Sequence, residues 1–339
     1  MHVIEATNVR DALMQATEYV LQGFQEDSRL GKVMVAKSPV TIRYSYPKQH
    51  VLLNAVRNAN PFFHLMEAMW MLAGRNDTQF LDHYIKDFGK MFGLDGVMWD
   101  SYGYRWKQGL AYNQLEEIVN QFKNDPTTRQ AVLQMWGAGR DDLRARFGKP
   151  CNLVATFRLQ AGRLHMIVFN RSNDLIWGCC GANAVHFPIM QEYIAGKIGV
   201  EMGEYWQVTS NLHMYVEQFV LMWNRFNKTG RDGVLEFRPV EEYGETFPLM
   251  EHPDTFDAEL SEVIDFIDHI HDDNYITMGN MKNRFLSQVV SRMAMAHHLY
   301  KNKKMDDALD IVDTVVAADW RQAGREWLER HNERSTGTS

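Results

Sequence analysis

Apolar residues recur at helical spacing between Asp11 and Gln25 (Leu13, Ala16, Val20, Leu21, Phe24), which predicts an opening amphipathic helix. Ser38 to Tyr46 alternates instead, with Val40, Ile42 and Tyr44 set against polar neighbours, the pattern of a strand. From Phe62 to Ala73 the chain is apolar nearly all round, so a buried helix is expected, closed by Gly74. A single carboxylate, Glu67, interrupts it. Tyr112 to Lys123 reads as another helix, ended by Asn124-Asp125-Pro126.

Asn152 to Phe169 predicts a hairpin: Leu153, Ala155, Phe157 and Leu159 alternate, Gly162 supplies the turn, and Leu164, Met166 and Val168 return. Ala182 to Ile198 reads as a mostly apolar helix, Glu204 to Ser210 as a strand, and Leu212 to Asn227 as a helix. From Pro253 onward the pattern is mainly helical, with amphipathic runs at Ala258–Ile270, Asn283–Tyr300 and Asp306–Glu329. No repeat, linker or low-complexity boundary divides the chain. Strands early, mixed elements in the middle and helices late predict one α+β domain over residues 1–339, with 253–339 as its helical part.

Composition narrows the function classes. A hydrophobic fraction of 45% is ample for a core, and only the last residues, Glu333 to Ser339, read as a frayed tail. A net charge of −7 argues against a general nucleic-acid binder, although a few arginines suffice for one phosphate. No signal peptide or membrane-spanning run is visible, and three cysteines, two of them adjacent, make no disulfide framework. The expectation is a cytoplasmic protein with reduced thiols.

Five features carry candidate chemistry, four of them with a plainer alternative. Cys151, in Pro150-Cys151-Asn152, is a small buried hydrophobe or a nucleophile whose thiolate needs a cation such as Arg171 across the hairpin. Arg171-Ser172-Asn173-Asp174 is a solvated turn or a phosphate site. Asn183 is a helix N-cap or an amide that reads a nucleobase edge. Glu67 is costly to bury and therefore a site candidate. His213 and Tyr215 either grip hydroxyls from one face of an extended segment or begin a helix.

The order of these features is more specific than any one of them. Glu67, then Tyr102-Gly-x-x-Trp106, Asp125-Pro-x-x-Arg129, Pro150-Cys151, Arg171-Ser172-x-Asp174, Asn183 and His213-x-Tyr215 resemble the thymidylate synthase family, over about half of the chain. The resemblance implies that Cys151 adds to C6 of a pyrimidine nucleotide, and that C5 then takes a one-carbon unit from 5,10-methylenetetrahydrofolate, with no metal. Glu67 would relay protons through ordered water, and Tyr102 would assist removal of the C5 proton. Arg171 and Ser172 would bind phosphate, Arg171 also favouring the Cys151 thiolate. Arg129 would reach the phosphate across a homodimer interface, and Arg29 falls near a further phosphate position. His213 and Tyr215 would hold the sugar hydroxyl, and Asn183 would read the base. Asp174, Arg57 and Gly178 fall on the folate side, Arg57 near the folate glutamate. Cys179 and Cys180 carry no assigned role beyond packing.

Departures from the synthase pattern point to the reaction. Gln130 replaces the second interface arginine, Asn152 replaces the histidine after the nucleophile, and Gly178 to Asn183 is one residue longer. A tryptophan expected near Phe88–Lys90 and the short closing C-terminal segment are missing. These losses fall where a synthase shields its C5-methylene intermediate for hydride transfer. The chain therefore looks more like the branch in which water attacks that intermediate to give a 5-hydroxymethyl nucleotide. An asparagine at 183 suits uracil, donating to O4 and accepting from N3–H, which favours dUMP over dCMP. The alternatives are reductive methylation of dUMP, hydroxymethylation of dCMP, a non-catalytic nucleotide-binding protein, and a cysteine hydrolase pairing Cys151 with His165 or His186.

Overall fold

The computed structural model describes residues 1–339 apart from 54–55, 142–148, 229–244, 275 and 336–339. Ten strands, thirteen α-helices and three π-helical segments follow one another along the described residues. The first part runs β1 (His2–Ala6), α1 (Val9–Leu21), β2 (Phe24–Ser28), β3 (Gly31–Val35), β4 (Val40–Tyr44) and α2 (Pro61–Leu72). Three short helices follow, α3 (Gln79–Asp82), α4 (Phe88–Phe92) and α5 (Tyr102–Tyr104), then α6 (Gln114–Asn124), β5 (Val132–Gln134) and α7 (Ala138–Asp141). The middle holds β6 (Asn152–Gln160), β7 (Arg163–Asn170), β8 (Asn173–Asp174), α8 (Asn183–Ile198), β9 (Glu201–Thr209), β10 (Leu212–Tyr215) and α9 (Val216–Lys228). The chain ends in α10 (Phe256–His271), α11 (Ser291–Lys301), α12 (Met305–Asp313) and α13 (Ala318–Ser335).

Six strands form a mixed sheet in the order β1-β4-β9-β7-β6-β5. The expected hairpin is its centre: β6 and β7 pair antiparallel, and β7 runs parallel to β9. Alternation gives this sheet two different faces. Ala155, Val168 and Gln207 share the inner face and are buried, under α8. Thr156, Ile167 and Trp206 share the outer face and are only half-buried. Four further strands make a smaller sheet, β2-β3-β10-β8, in which β10 and β8 run parallel with His213 beside Asp174.

Helix α2 is where the pattern and the packing agree most closely. Asn60 caps it by accepting from the Phe63 amide, Pro61 starts it, and Gly74 leaves it at φ +75°. Every residue from Pro61 to Leu72 is buried, so partners are needed all round. They are α8 on one side and α10, α11 and α13 on another. Phe62 meets Trp327 edge-on at 5.4 Å, and Arg330 Nε donates to Asn58 Oδ1. The C-terminal helices thus form a buttress for the helix that carries Glu67.

Several expectations shift. The opening helix starts earlier, at Val9 capped by Asn8, and ends at Leu21, because Gln25 is drawn into β2. Leu212–Asn227 is not one helix: Leu212–Tyr215 is strand β10, paired with β3 and β8, and helix begins only at Val216. Asp306–Glu329 splits into α12 and α13, with Thr314 bonded back to Ile311 at the break. The end of the expected tail, 336–339, lies outside the described residues, while α13 runs to Ser335.

Candidate active site

Cys151 sits at the start of β6, where the register to β7 slips between Asn152 and Val154. This bulge is local: Leu153 turns its carbonyl to the amides of Met135 and Trp136, and the strand end is re-aimed beside Cys151. Two contacts hold Cys151 in place. The Arg171 amide donates to its carbonyl at 3.0 Å, and its own amide donates to the Tyr102 hydroxyl at 2.9 Å. The same hydroxyl accepts from the Asn152 amide at 3.2 Å. Burial raises the Tyr102 pKa, as does the neighbouring Cys151.

Tyr102 reaches this position because of its neighbour. A Cβ at Gly103 would stand 2.1 Å from the Met71 carbonyl oxygen, so only glycine lets α5 pass this close to the backbone of α2. The Tyr-Gly step thereby joins the tyrosine to the glutamate helix.

Arg171 lies where the hairpin predicts. Its Nε donates to the Pro150 carbonyl at 2.9 Å and an Nη to the Lys149 carbonyl at 2.7 Å, gripping the backbone that enters Cys151. Burial pushes the Cys151 thiol up, and Arg171 pulls against that, with Asp100 and Asp174 adding to the rise. The arginine is thus a partial counterweight, and the thiol stays above its ordinary pKa. Ser172 is half-buried next to it.

Asn183 is not an N-cap. Ala182 holds that position, and the Asn183 amide pairs with Asn152 instead, Asn152 Nδ2 donating at 3.2 Å and Asn152 Oδ1 accepting at 3.3 Å. The longer stretch before it is absorbed by π-helical winding over Leu175–Ala182, which departs from helix at Cys180 and Gly181. One turn further along α8, at i+3, His186 Nε2 lies 3.1 Å from Glu67 Oε2, both buried. Glu67, Tyr102, Cys151, Asn152, Asn183 and His186 are thus linked through four elements, α2, α5, β6 and α8. His186 was legible only as a hydrolase partner; its place on the Asn183 face of the same helix was the signal for a role here. His165 is elsewhere, its Nδ1 accepting from the Glu204 amide and its ring on the hollow outside the sheet.

Of the sugar and folate candidates, His213, Tyr215 and Asp174 lie on the smaller sheet, and Gly178 follows it in Leu175–Ala182. His213 and Tyr215 project from one face of β10, their rings edge-on at 5.6 Å. Asp174 Oδ1 accepts from the Trp177 amide at 2.5 Å, whereas Oδ2 is buried with no hydrogen bond among the described residues. An acceptor held inward in this way fits the N–H donors of a pterin ring. Burial raises its pKa, opposed by the Trp177 amide and by His213. Gly178 is pressed against Asn173, whose Oδ1 would be 2.6 Å from a Cβ there. Arg57 is turned inward: its guanidinium is buried, donates twice to the Ile176 carbonyl, and lies 4.7 Å over the exposed Trp177 ring. It props the Leu175–Ala182 segment, a role unlike that of a surface ligand for a glutamate tail. Trp177 was not singled out by sequence.

Two arginines stand apart from this cluster. Arg29 is exposed in the β2–β3 turn. Arg129 is exposed as well, and lines a hollow of about 980 Å³ on the outer face of the large sheet with Arg158, Arg163, His165, Glu204 and Trp206. Among the described residues no cluster of His, Cys, Asp and Glu fits a metal ion, and no helix is long and apolar enough to cross a membrane.

Comparison with known proteins identifies the family. Residues 13–247 match the family model for thymidylate synthase. A deoxyuridylate hydroxymethyltransferase of Pseudomonas phage M6 is 38% identical over 97% of this chain and 94% of its own, so the similarity extends through most of the C-terminal helices. A deoxyuridylate hydroxymethyltransferase of Bacillus phage SP01 is 39% identical over 56% of this chain and 52% of its own. A thymidylate synthase of Symbiobacterium thermophilum is 24% identical over 61% of this chain and 77% of its own. The chain belongs to the thymidylate synthase family.

Proposed function

We propose that the chain is a deoxyuridylate 5-hydroxymethylase, using 5,10-methylenetetrahydrofolate as one-carbon donor and water as the final nucleophile. The observation that carries this reading is the hydrogen-bonded pair Asn152–Asn183, which sets the base-reading amide one residue from Cys151. The names of the phage relatives support the same reaction.

The Cys151 thiolate adds to C6, its electron pair forming the S–C6 bond while the C5–C6 double bond moves its electrons onto C5 and O4. C5 then bonds to the one-carbon unit that the folate would supply at the formaldehyde oxidation level. As the C5 proton is lost the carbon–nitrogen bond to the carrier breaks, its electron pair returning to nitrogen, so that tetrahydrofolate leaves unoxidised. Tyr102, whose hydroxyl accepts from the Cys151 amide, assists removal of the C5 proton, which leaves an exocyclic methylene. Water oxygen bonds to that methylene, its proton passing to the Glu67–His186 pair, and the S–C6 bond breaks to return the thiolate. Arg171 and Ser172 bind the phosphate, His213 and Tyr215 the sugar, and Asp174 with the Trp177–Gly178 segment the folate. The half-buried outer face of the large sheet, with Arg129 at its hollow, supports a homodimer in which Arg129 serves the partner's phosphate site.

Mass analysis of products from dUMP and dCMP, each with methylenetetrahydrofolate, tests the reading while dihydrofolate absorbance is followed. A hydroxymethyl product from dUMP without dihydrofolate is expected. A methyl product with dihydrofolate would make the chain a synthase, and turnover of dCMP alone would overturn the base assignment.

A further inference from the structure

The Asn183 amide does not stand alone. Its Nδ2 donates to Asn173 Oδ1 at 3.0 Å, Asn173 Nδ2 donates to Gln207 Oε1 at 2.9 Å, and Gln207 Nε2 donates to the Cys179 carbonyl at 2.9 Å and to the Tyr44 hydroxyl at 3.0 Å. All four amide side chains of this row, from Asn152 to Gln207, are buried.

The row has a direction, and its end sets it. A backbone carbonyl can only accept, so Gln207 must turn Nε2 toward Cys179 and Oε1 away. Asn173 must then donate to Gln207, which leaves its oxygen for Asn183, and Asn183 must present Nδ2 on that side. The remaining edge of Asn183 consequently carries one N–H donor and one carbonyl acceptor in fixed order. Asn152 occupies that edge as a cyclic pair, donating to Oδ1 and accepting from Nδ2. Uracil offers the same order, N3–H as donor and O4 as acceptor. Cytosine offers the reverse and needs Asn183 flipped. A flip would set Asn183 Oδ1 against Asn173 Oδ1, and reversing the whole row would set Gln207 Oε1 against the Cys179 carbonyl. Each of these leaves buried polar groups unpaired.

We infer that Gln207 and Asn173 are specificity-determining positioning residues. Through the row anchored on the Cys179 carbonyl they lock the Asn183 amide in the orientation that accepts uracil and refuses cytosine. The inference rests on the reading that Asn183 contacts the base. It also assigns a purpose to the wound Leu175–Ala182 segment, which presents the Cys179 carbonyl to Gln207, and to Gly178, beside which Asn173 Oδ1 fits without a Cβ.

The test compares dissociation constants and kcat/KM for dUMP and dCMP in the full-length enzyme and in Gln207→Met, Asn173→Leu and Asn183→Asp. Gln207→Met and Asn173→Leu each remove one link with near-constant volume, so one remains informative if the other fails to fold. The expected result is that the preference for dUMP over dCMP falls about ten- to hundredfold in these two variants, the discrimination carried by one or two buried hydrogen bonds. A structural defect alone would weaken both nucleotides equally and leave the ratio unchanged. If Asn183→Asp shifts the ratio toward dCMP while the folded Gln207 and Asn173 variants keep the original ratio, the row does not orient Asn183 and the inference is overturned. If Asn183→Asp itself leaves the ratio unchanged, the base-reading role of Asn183 falls, and the inference with it.

Discussion

His186 Nε2 lies 3.1 Å from Glu67 Oε2, inside the protein and one helical turn from Asn183 on the same face of α8. Neither atom has a well-aligned hydrogen bond to protein among the described residues. A buried carboxylate and imidazole in this relation can hold and pass one proton, the chemistry that attack by water requires. Glu67→Gln is expected to lower kcat about hundredfold or more, and His186→Ala about ten- to hundredfold, the usual reach of a general acid–base group. Alkylation of Cys151 should stay at the wild-type rate in both. A parallel loss of alkylation would mean that the pair supports the fold instead of the proton transfer.

The pH response of Cys151 follows from its surroundings. Burial raises its pKa and Arg171 lowers it, with the rise prevailing. The reactive form is the thiolate, so iodoacetamide alkylation should climb with pH and show no plateau below about 8.5, the ordinary value for a free thiol. Arg171→Gln removes the lowering charge and should displace the curve to higher pH; Asp100→Asn removes a raising charge and should displace it to lower pH. Opposite shifts would reverse the electrostatic assignment.

Trp177 is exposed beneath the Arg57 guanidinium, next to the Asp174 carboxylate that has a buried, unpaired oxygen. Removing the ring by Trp177→Ala should raise KM for methylenetetrahydrofolate about tenfold while leaving the Kd for dUMP near its starting value. An equal loss for both substrates would move Trp177 out of the folate site.

His50 is buried, donates from Nδ1 to the Pro47 carbonyl at 3.3 Å, and faces Trp320 of α13 with ring centroids 5.9 Å apart. Burial pulls its pKa down to about 4. The unfolded chain binds a proton near pH 6.5, whereas the folded one resists until about 4. Stability is therefore fully present above pH 6.5 and lost as pH falls toward 4, by up to about 3 kcal/mol from this group. Urea denaturation at pH 7.5 and pH 5 should show the loss, and His50→Gln should flatten it. An unchanged pH dependence in the variant would assign the effect to other buried histidines such as His64 and His297, whose pKa values burial also lowers.

Gly103→Ala would force a Cβ against the Met71 backbone. The expected cost is about 3 kcal/mol of stability, read from urea denaturation, because backbone cannot yield as a flexible side chain does. Tyr102 moves with its neighbour, so turnover should fall further than stability alone accounts for.

The sequence by itself determined the chemical inventory and the long periodic elements. Glu67, Tyr102, Cys151, Arg171 and Asn183 stood out because each is a reactive or polar type in a specific order, and the β6–β7 hairpin and helices α2, α6 and α8 because their periods persist over many residues. Glycine at 103 and 178 was visible in the chain, but the backbone and side chain each one admits were not.

Tertiary structure decided what depends on pairing between distant segments. Strand β10 has four residues, too few for an alternating pattern to compete with helical spacing, so His213–Tyr215 became extended only because β3 and β8 flank it. The all-round apolarity of α2 announced burial without naming its partners, and α10, α11 and α13 supplied one side. The row from Asn152 through Asn183 and Asn173 to Gln207 left no trace in any local window, because a buried amide acquires its orientation from the donors and acceptors that folding brings to it.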